Sequence, residues 1–318
     1  MKKIGVALAM SLSMILPSLA DTYPSRPISW IVPFAAGGIT DLTARKITEA
    51  LNEKLGQSVI VENKPGAGGL VGTKEASLAP ADGYTLVYAS SGPLGITPAL
   101  NPSKVPYDPL EAFDYVAGIA AASQIVVAST NMPFNTIEEL VAYAKENPGK
   151  INFGSPGNGT AQHLAGELLQ KAAGIEMTHV PYKAGTTQMV DLASGVIDVS
   201  FEYASIVAPY VEEGKMKVIG TTGTERSPRF PDAKTVVEAG YPDAVNIGWG
   251  LFGVPAGTPD EVKQKLAAAL AEVWEDERVI KMYEANAQTF MKDVTPENGK
   301  DFVAKEIEKF RSLGVTVQ

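Results

Sequence analysis

The chain contains no cysteine and only two histidines, His163 and His179. The first absence excludes disulfides, thiolate nucleophiles and cysteine-ligated metals. The second leaves too few imidazoles for a histidine-rich metal centre, and no His-x-x-Glu-His pattern occurs. No metal and no cofactor is expected. Basic residues are also short, at 27 Lys+Arg against 36 Asp+Glu and a formal net charge of −9. A nucleic-acid partner needs a basic footprint and is excluded on that ground. An acidic protein that binds anions must do so through local fields, because its global field repels them. Beyond the N-terminus, no stretch is long and apolar enough to span a membrane.

What is present starts with an export signal. Lys2 and Lys3 precede an apolar run, Ile4 to Leu16, then Pro17, with small residues Ser18 and Ala20 before the expected cleavage point ahead of Asp21. The run is shorter than the ~20 residues a spanning anchor needs. Cleavage removes two lysines, so the expected periplasmic form carries −11. A chain of this length can bury an adequate core without disulfides.

Two stretches repeat one design. Trp30-IVPFAAGGITDLTARKI and Asn152-FGSPGNGTAQHLAGELL each read as strand, Gly-rich loop and amphipathic helix. Such a turn leaves the first N–H groups of the helix unpaired and aimed into the loop, where the helix dipole favours an anion. A pair of them predicts a clamp that grips an anion from both sides.

Strand-like runs alternate with helical patterns throughout, which predicts an α/β architecture. Strands are expected at Ile28–Pro33, Ser58–Glu62, Tyr84–Ala89, Tyr115–Ala121, Gln124–Ser129, Ile151–Gly154, Met177–Pro181, Ile197–Phe201, Met216–Thr221 and Ile247–Val254. Thr136 with Glu139, and Thr258 with Glu261 and Pro259, fit capping boxes, and Thr295-Pro296 opens a helix in the same way. Gly56 and Gly174 read as helix C-caps. The length favours two α/β domains. The long run Tyr115–Ser129 is a candidate crossing between them, with a return between Met216 and Trp249. The expected division is 21–122 plus 242–318 for the first domain and 123–241 for an inserted second, with a hinge and a ligand cleft between them.

At this point the chain resembles a known family. YPSRPI (Tyr23–Ile28), VPFAAGGITD (Val32–Asp41), VENKPGAGG (Val61–Gly69), PADGYTL (Pro80–Leu86) and PYDPLEAFDYV (Pro106–Val116) carry the resemblance. It continues through Glu139–Leu169, HVPYKAG (His179–Gly185), Arg226–Pro242 and VPAGTP (Val254–Pro259). In their order and spacing these segments resemble the Bug family, the periplasmic solute-binding proteins of tripartite tricarboxylate transporters. The resemblance implies a type II periplasmic-binding fold that closes on a small carboxylate. It also implies a ligand held by main-chain amides, hydroxyls and waters from loops corresponding to Phe34–Asp41 and Ser155–His163. The implied partner is a two-component membrane permease. Presentation of the ligand to a sensor kinase would use the same closed state. A monomer is expected.

Individual candidates carry two readings each. Phe34, Ala36, Gly37 and Gly38 offer close backbone approach to a carboxylate, or simply a tight strand-to-helix turn. Thr40 fits an N-cap and can also offer its hydroxyl to a ligand. Asp41 in the first helical turn is a favourable charge–dipole placement, or a cleft-facing acceptor for a ligand donor. In the second loop Ser155, Gly157, Asn158, Gly159 and Thr160 supply adaptable polar groups, and His163 is read as loop support that can also face the cleft. His179 is read as structural. Ser90 and Ser91 follow a strand at its carboxyl end, where open α/β sheets bind ligands. Glu202 ends a strand in the same fashion and is either a selector for ligands with a donor or an ordinary exposed acid.

Two enzyme classes fare poorly. Gly66-Ala-Gly-Gly-Leu-Val-Gly72 follows a strand, but its third glycine is misplaced for a dinucleotide fingerprint and Pro65 breaks the turn. No Gly-x-Ser-x-Gly elbow marks a hydrolase. The expectation is a binding protein with no catalytic residues, for a C4–C6 dicarboxylate ahead of citrate, acidic amino acids or aromatic carboxylates.

Overall fold

The computed structural model describes residues 23–183 and 185–317. The expected signal segment and the cleavage point before Asp21 lie outside them. The first sheet contains β1 (Ile28–Val32), β2 (Val59–Asn63), β3 (Thr85–Ser90), β4 (Phe113–Ser123), β10 (Ile247–Pro255) and β11 (Thr289–Phe290), in the order β11-β4-β10-β3-β1-β2. The second contains β5 (Ile125–Ser129), β6 (Asn152–Ser155), β7 (Thr178–Pro181), β8 (Val199–Glu202) and β9 (Met216–Thr221), in the order β7-β6-β8-β5-β9.

Parallel pairing dominates where helices cross over. β1 runs parallel to β2 and β3, and β6 runs parallel to β7 and β8. The link from β1 to β2 is the helix Ile39–Leu55, the crossover that a parallel pair requires. It buries Ile39, Ala44, Ile47 and Leu51, at helical spacing on one face. Full burial of a side chain such as Ile47 or Leu51 is worth roughly 1.5–3 kcal/mol. The helix stops at Gly56, whose φ of 65° is left-handed and whose N–H reaches the Asn52 carbonyl. Gly174, at φ 63°, ends the helix Ala161–Ala173 in the same way. β3 has core on both faces. Tyr88, on this strand, stacks 6.1 Å from Trp30, which also meets Phe252 of β10 at 4.7 Å.

The capping signals met mixed outcomes. Thr136 caps its helix, accepting the Glu139 N–H at 3.1 Å, while Glu139 reaches back one residue further than a capping box, to the Asn135 N–H. Thr258 gives its hydroxyl to the Pro255 carbonyl, so that helix begins at Asp260 behind Pro259. The Thr295-Pro296 start is displaced to Gly299, because the Asn298 side chain takes the Thr295 N–H.

The chain passes from the first sheet to the second at Gln124, the single residue between β4 and β5. It returns over residues 222–246. Gln124 is fully buried, and its side-chain carbonyl accepts from the Thr222 hydroxyl at 2.9 Å and the Asn246 amide at 2.8 Å. Its backbone N–H donates to Thr222 Oγ1 at 2.9 Å. The outgoing and returning segments are therefore tied to each other by a buried, neutral polar knot.

Candidate functional site

The first loop leaves β1 and enters the helix at Ile39. Gly37 sits at φ 82°, which favours glycine. Gly38 is the N-cap, with φ −80° and ψ 168° and no side-chain cap. Thr40 is thus inside the first turn rather than at the cap, because the helix starts two residues earlier than a Thr40 cap requires. The first helical N–H groups are left for whatever enters the loop.

Asp41 does not face the cavity. It is buried behind the loop, where it accepts the Gly37 N–H and the Asn63 side-chain amide, each at 2.9 Å, and pairs with Arg45 at 2.9 Å. Burial works to raise its pKa. Hydrogen bonds from Arg45, the Gly37 amide and Asn63 outweigh that and hold the carboxyl below its ordinary value. Of its two readings, it is a brace that fixes loop amides.

The second loop is braced by neutral groups. Gly157 and Gly159 have φ of 127° and 73°. Thr160 caps the helix Ala161–Ala173, accepting the His163 N–H at 3.3 Å and donating to the Gly157 carbonyl at 2.8 Å. His163 accepts the Gly159 N–H on Nδ1 at 3.1 Å, which leaves Nε2 to carry the proton toward Glu167, 3.3 Å away. The rings of His163 and His179 stack at 3.7 Å. His179 Nε2 lies 2.7 Å from Ser155 Oγ, which also takes the Gly157 N–H at 3.2 Å. Burial, and then the neighbouring His163, push the His179 imidazole down to about 3.

The Ser155–His179 contact has the reach of a nucleophile–base pair. It lacks the rest. Ser155 is fully buried behind the loop, and an imidazole held neutral down to about pH 3 is a poor proton acceptor near neutrality.

Both loops open on one cavity of about 660 Å³ between the two sheets. It sits beyond the carboxyl ends of parallel strands, as open α/β sheets arrange. Of the expected residues, Phe34, Gly37, Gly38, Thr40, Ser90, Ser91, Gly157, Asn158, Gly159, Thr160 and Glu202 line it. Ala36, Asp41, Ser155 and His163 do not; the last three are turned inward to hold the loops. Glu202 is buried and so is not an ordinary exposed acid.

The walls also contain residues that the sequence reading passed over. The segment Pro65–Gly69 forms a third side, and Tyr88, Thr97, Gln162, Tyr203 and Trp249 complete much of the remainder. Residues 66–69 all have positive φ, from 48° at Ala67 to 140° at Gly66. This turn meets the second loop backbone to backbone. A Cβ on Gly68 would collide with the Asn158 carbonyl, and one on Gly92 would lie 3.0 Å from the Gly159 carbonyl. The run Pro65-Gly-Ala-Gly-Gly was the available signal, since so many glycines predict a close approach as readily as a failed nucleotide motif.

The cavity has little formal charge on its walls. Its lining includes Lys104, Lys183 and Glu202 and no arginine. Burial raises the Glu202 carboxyl to about 7, only partly offset by hydrogen bonds from the Tyr203 N–H and Gln162. Ser90 Oγ and Thr97 Oγ1 are buried and without a hydrogen-bond partner. Among the described residues no group of three His, Cys, Asp or Glu is placed to hold a metal ion, and no helix is long and apolar enough to cross a membrane. The site can therefore bind an anion by dipoles and hydroxyls.

Known proteins share this fold. Residues 43–313 match the family described as tripartite tricarboxylate transporter family receptor. The chain is 33% identical over 311 residues to protein BugT of Bordetella pertussis, covering 98% of this chain and 94% of that one. Among solved structures, R. palustris Rpa4515 with adipate superimposes with a TM-score of 0.87 at 28% identity, covering 92% of this chain and 99% of that one. MatC from Rhodopseudomonas palustris with bound malate gives 0.86 at 28% identity over the same shares. With its two α/β lobes, its cleft and these relatives, the chain belongs to the tripartite tricarboxylate transporter receptor family, the Bug-type periplasmic solute-binding proteins.

Proposed function

We propose that this chain captures a small carboxylate, of the C4–C6 dicarboxylate class, in the cleft and delivers it to a two-component permease of the tripartite tricarboxylate type. One observation carries the reading: two helix N-termini, behind Gly38 and Thr160, open onto a single cavity almost free of formal charge. Dipoles and unpaired N–H groups are what an anion needs there. The adipate and malate in the two relatives belong to the same chemical class and support it. Phe34, Gly37, Gly38, Thr40, Ser90, Ser91, Gly157, Asn158, Gly159, Thr160 and Glu202 are the proposed contacts. Asp41, Ser155 and His163 are proposed to hold the loops.

The same reading places the hinge at Gln124 and over 222–246, dividing 21–122 plus 242–318 from 123–241. Ligand that bridges the two lobes favours their closed state by its differential affinity. Export with cleavage before Asp21 completes the proposal.

The test is a thermal-unfolding screen against succinate, malate, glutarate, adipate, glutamate, citrate, benzoate and terephthalate. Ligand at about 100 times its dissociation constant should add ~2.7 kcal/mol of stability. A shift confined to dicarboxylates of one chain length is the expected result. No shift from any member, after unfolding and dialysis to strip a carried-over tenant, would sink the carboxylate reading.

A further inference from the structure

Glu202 differs from Asp41, the other buried acid among the described residues, and from the part-buried Asp114. Asp41 has Arg45, and Asp114 has Lys263 and Lys300, each at 3.2 Å. Glu202 is 3% exposed and forms no ion pair among the described residues. Its partners are neutral: the Tyr203 N–H at 2.8 Å and the Gln162 side-chain amide at 3.2 Å. Both bonds fall on Oε1. A buried carboxylate without a cation is costly. If its role were only to receive these two donors, a glutamine would serve with no charge to bury.

The position points to the use. Glu202 ends β8 on the cavity wall, and Gln162, which steadies it, stands on the first turn of the helix behind the second loop. The carboxyl is thus placed beside the anion-holding amides and not at the rim. A second negative group of the ligand set against it would be repelled, whereas a donor would be drawn to the free oxygen, Oε2. Ser90 and Thr97, each more than nine-tenths buried, bring further unpartnered hydroxyls to the same cavity.

We propose that Glu202 is a specificity-determining residue that accepts a hydrogen bond from the ligand, so the ligand is a carboxylate carrying a hydroxyl or ammonium group and not an unsubstituted dicarboxylate. This rests on the carboxylate reading above and narrows it. Burial raises the Glu202 carboxyl to about 7; a ligand ammonium set beside it would lower that value and keep the group ionised as an acceptor.

The experiment is calorimetric titration of the exported protein at pH 7.5, in two buffers of different ionisation enthalpy, with matched sets: succinate, malate and aspartate, then glutarate, 2-hydroxyglutarate and glutamate. In the better-fitting set, a hydroxyl- or ammonium-bearing member should bind at least ten-fold tighter than its unsubstituted counterpart. Glu202→Gln should erase that preference, and Glu202→Asp should keep its direction. The glutamine variant retains an acceptor for Tyr203 and Gln162, and cooperative thermal unfolding checks its fold. Tighter binding of the unsubstituted acid, with a proton taken up, would overturn the inference by making Glu202 a neutral donor to the ligand. Retention of the preference in Glu202→Gln would overturn it as well. Failure of every member to bind would overturn the carboxylate reading and this inference together.

Discussion

The two Gly-rich loops share a plan and differ in what holds them. The first is braced by charge. Asp41 draws together the Gly37 N–H, Asn63 and Arg45, and the N-cap Gly38 adds no side chain of its own. The second is braced by neutral hydroxyls and imidazoles, which spend several of the loop's own N–H groups on Ser155, Thr160 and His163. The first loop therefore keeps more of its helix N-terminus open, which under the proposed function makes it the main anion holder. The second gives up part of that capacity for a more fully bonded turn. Their responses to acid also differ. The stabilisation from His179, whose pKa is depressed to about 3, is complete above the ordinary imidazole value and lost as pH falls through the window down to about 3. That from Asp41, also depressed, is complete above the ordinary carboxyl value and lost only as pH falls through its lower folded value. On acidification the second brace starts to weaken first.

Three substitutions test this asymmetry. Gly38→Val should have the largest effect. The backbone at Gly38 suits any residue, and the nearest atom to a new Cβ is the Ala35 carbonyl at 3.6 Å, so the fold tolerates it. Branched carbon over the open N–H groups should weaken binding by a factor of about 100 or more, equivalent to ~2.7 kcal/mol. Titration giving parental affinity would break the claim that the first loop is the main holder.

Asp41→Ala comes next. It leaves the Gly37 N–H and Asn63 without their acceptor, at a cost of roughly 1–3 kcal/mol in stability. Affinity should fall about ten-fold through loop disorder, with the ligand preference unchanged. A change in preference would put Asp41 in contact with the ligand after all. The smallest effect is expected of Thr160→Ala, which loses the cap on the His163 N–H but keeps its own backbone N–H. About 1 kcal/mol of stability and less than ten-fold in affinity should go. A loss equal to that of Gly38→Val would make the Thr160 hydroxyl a primary contact and reverse the ranking of the loops.

Much of this was legible in the sequence, where the signal is local. Strand runs such as Ile28–Pro33 and Met216–Thr221, and the C-cap glycines Gly56 and Gly174, depend on near neighbours and stand where expected. β11 escaped notice because its two residues, Thr289 and Phe290, are a strand only by pairing with Ala121 and Ala120. The same applies within the site. The glycines of both loops announced themselves, but the direction of Asp41 is set by Asn63, 22 positions away, and that of Ser155 by His179, 24 positions away. Residues 65–69 looked like a failed nucleotide loop because their role lies in backbone dihedrals and in contact with a distant turn. Burial of Glu202 is a property of the assembled cavity, and no pattern of neighbours encodes it.

The strand order of the first sheet has a consequence for incomplete chains. β3 and β4 do not pair with each other; β10 lies between them and pairs with both. A polypeptide cut short of Ile247 therefore has two raw edges facing a gap in mid-sheet, each a template for strands from other molecules. The second sheet, drawn from one continuous stretch of chain, has no such dependence. In a protein with no disulfide to certify that it is whole, the late arrival of one strand does that job by closing the gap in mid-sheet.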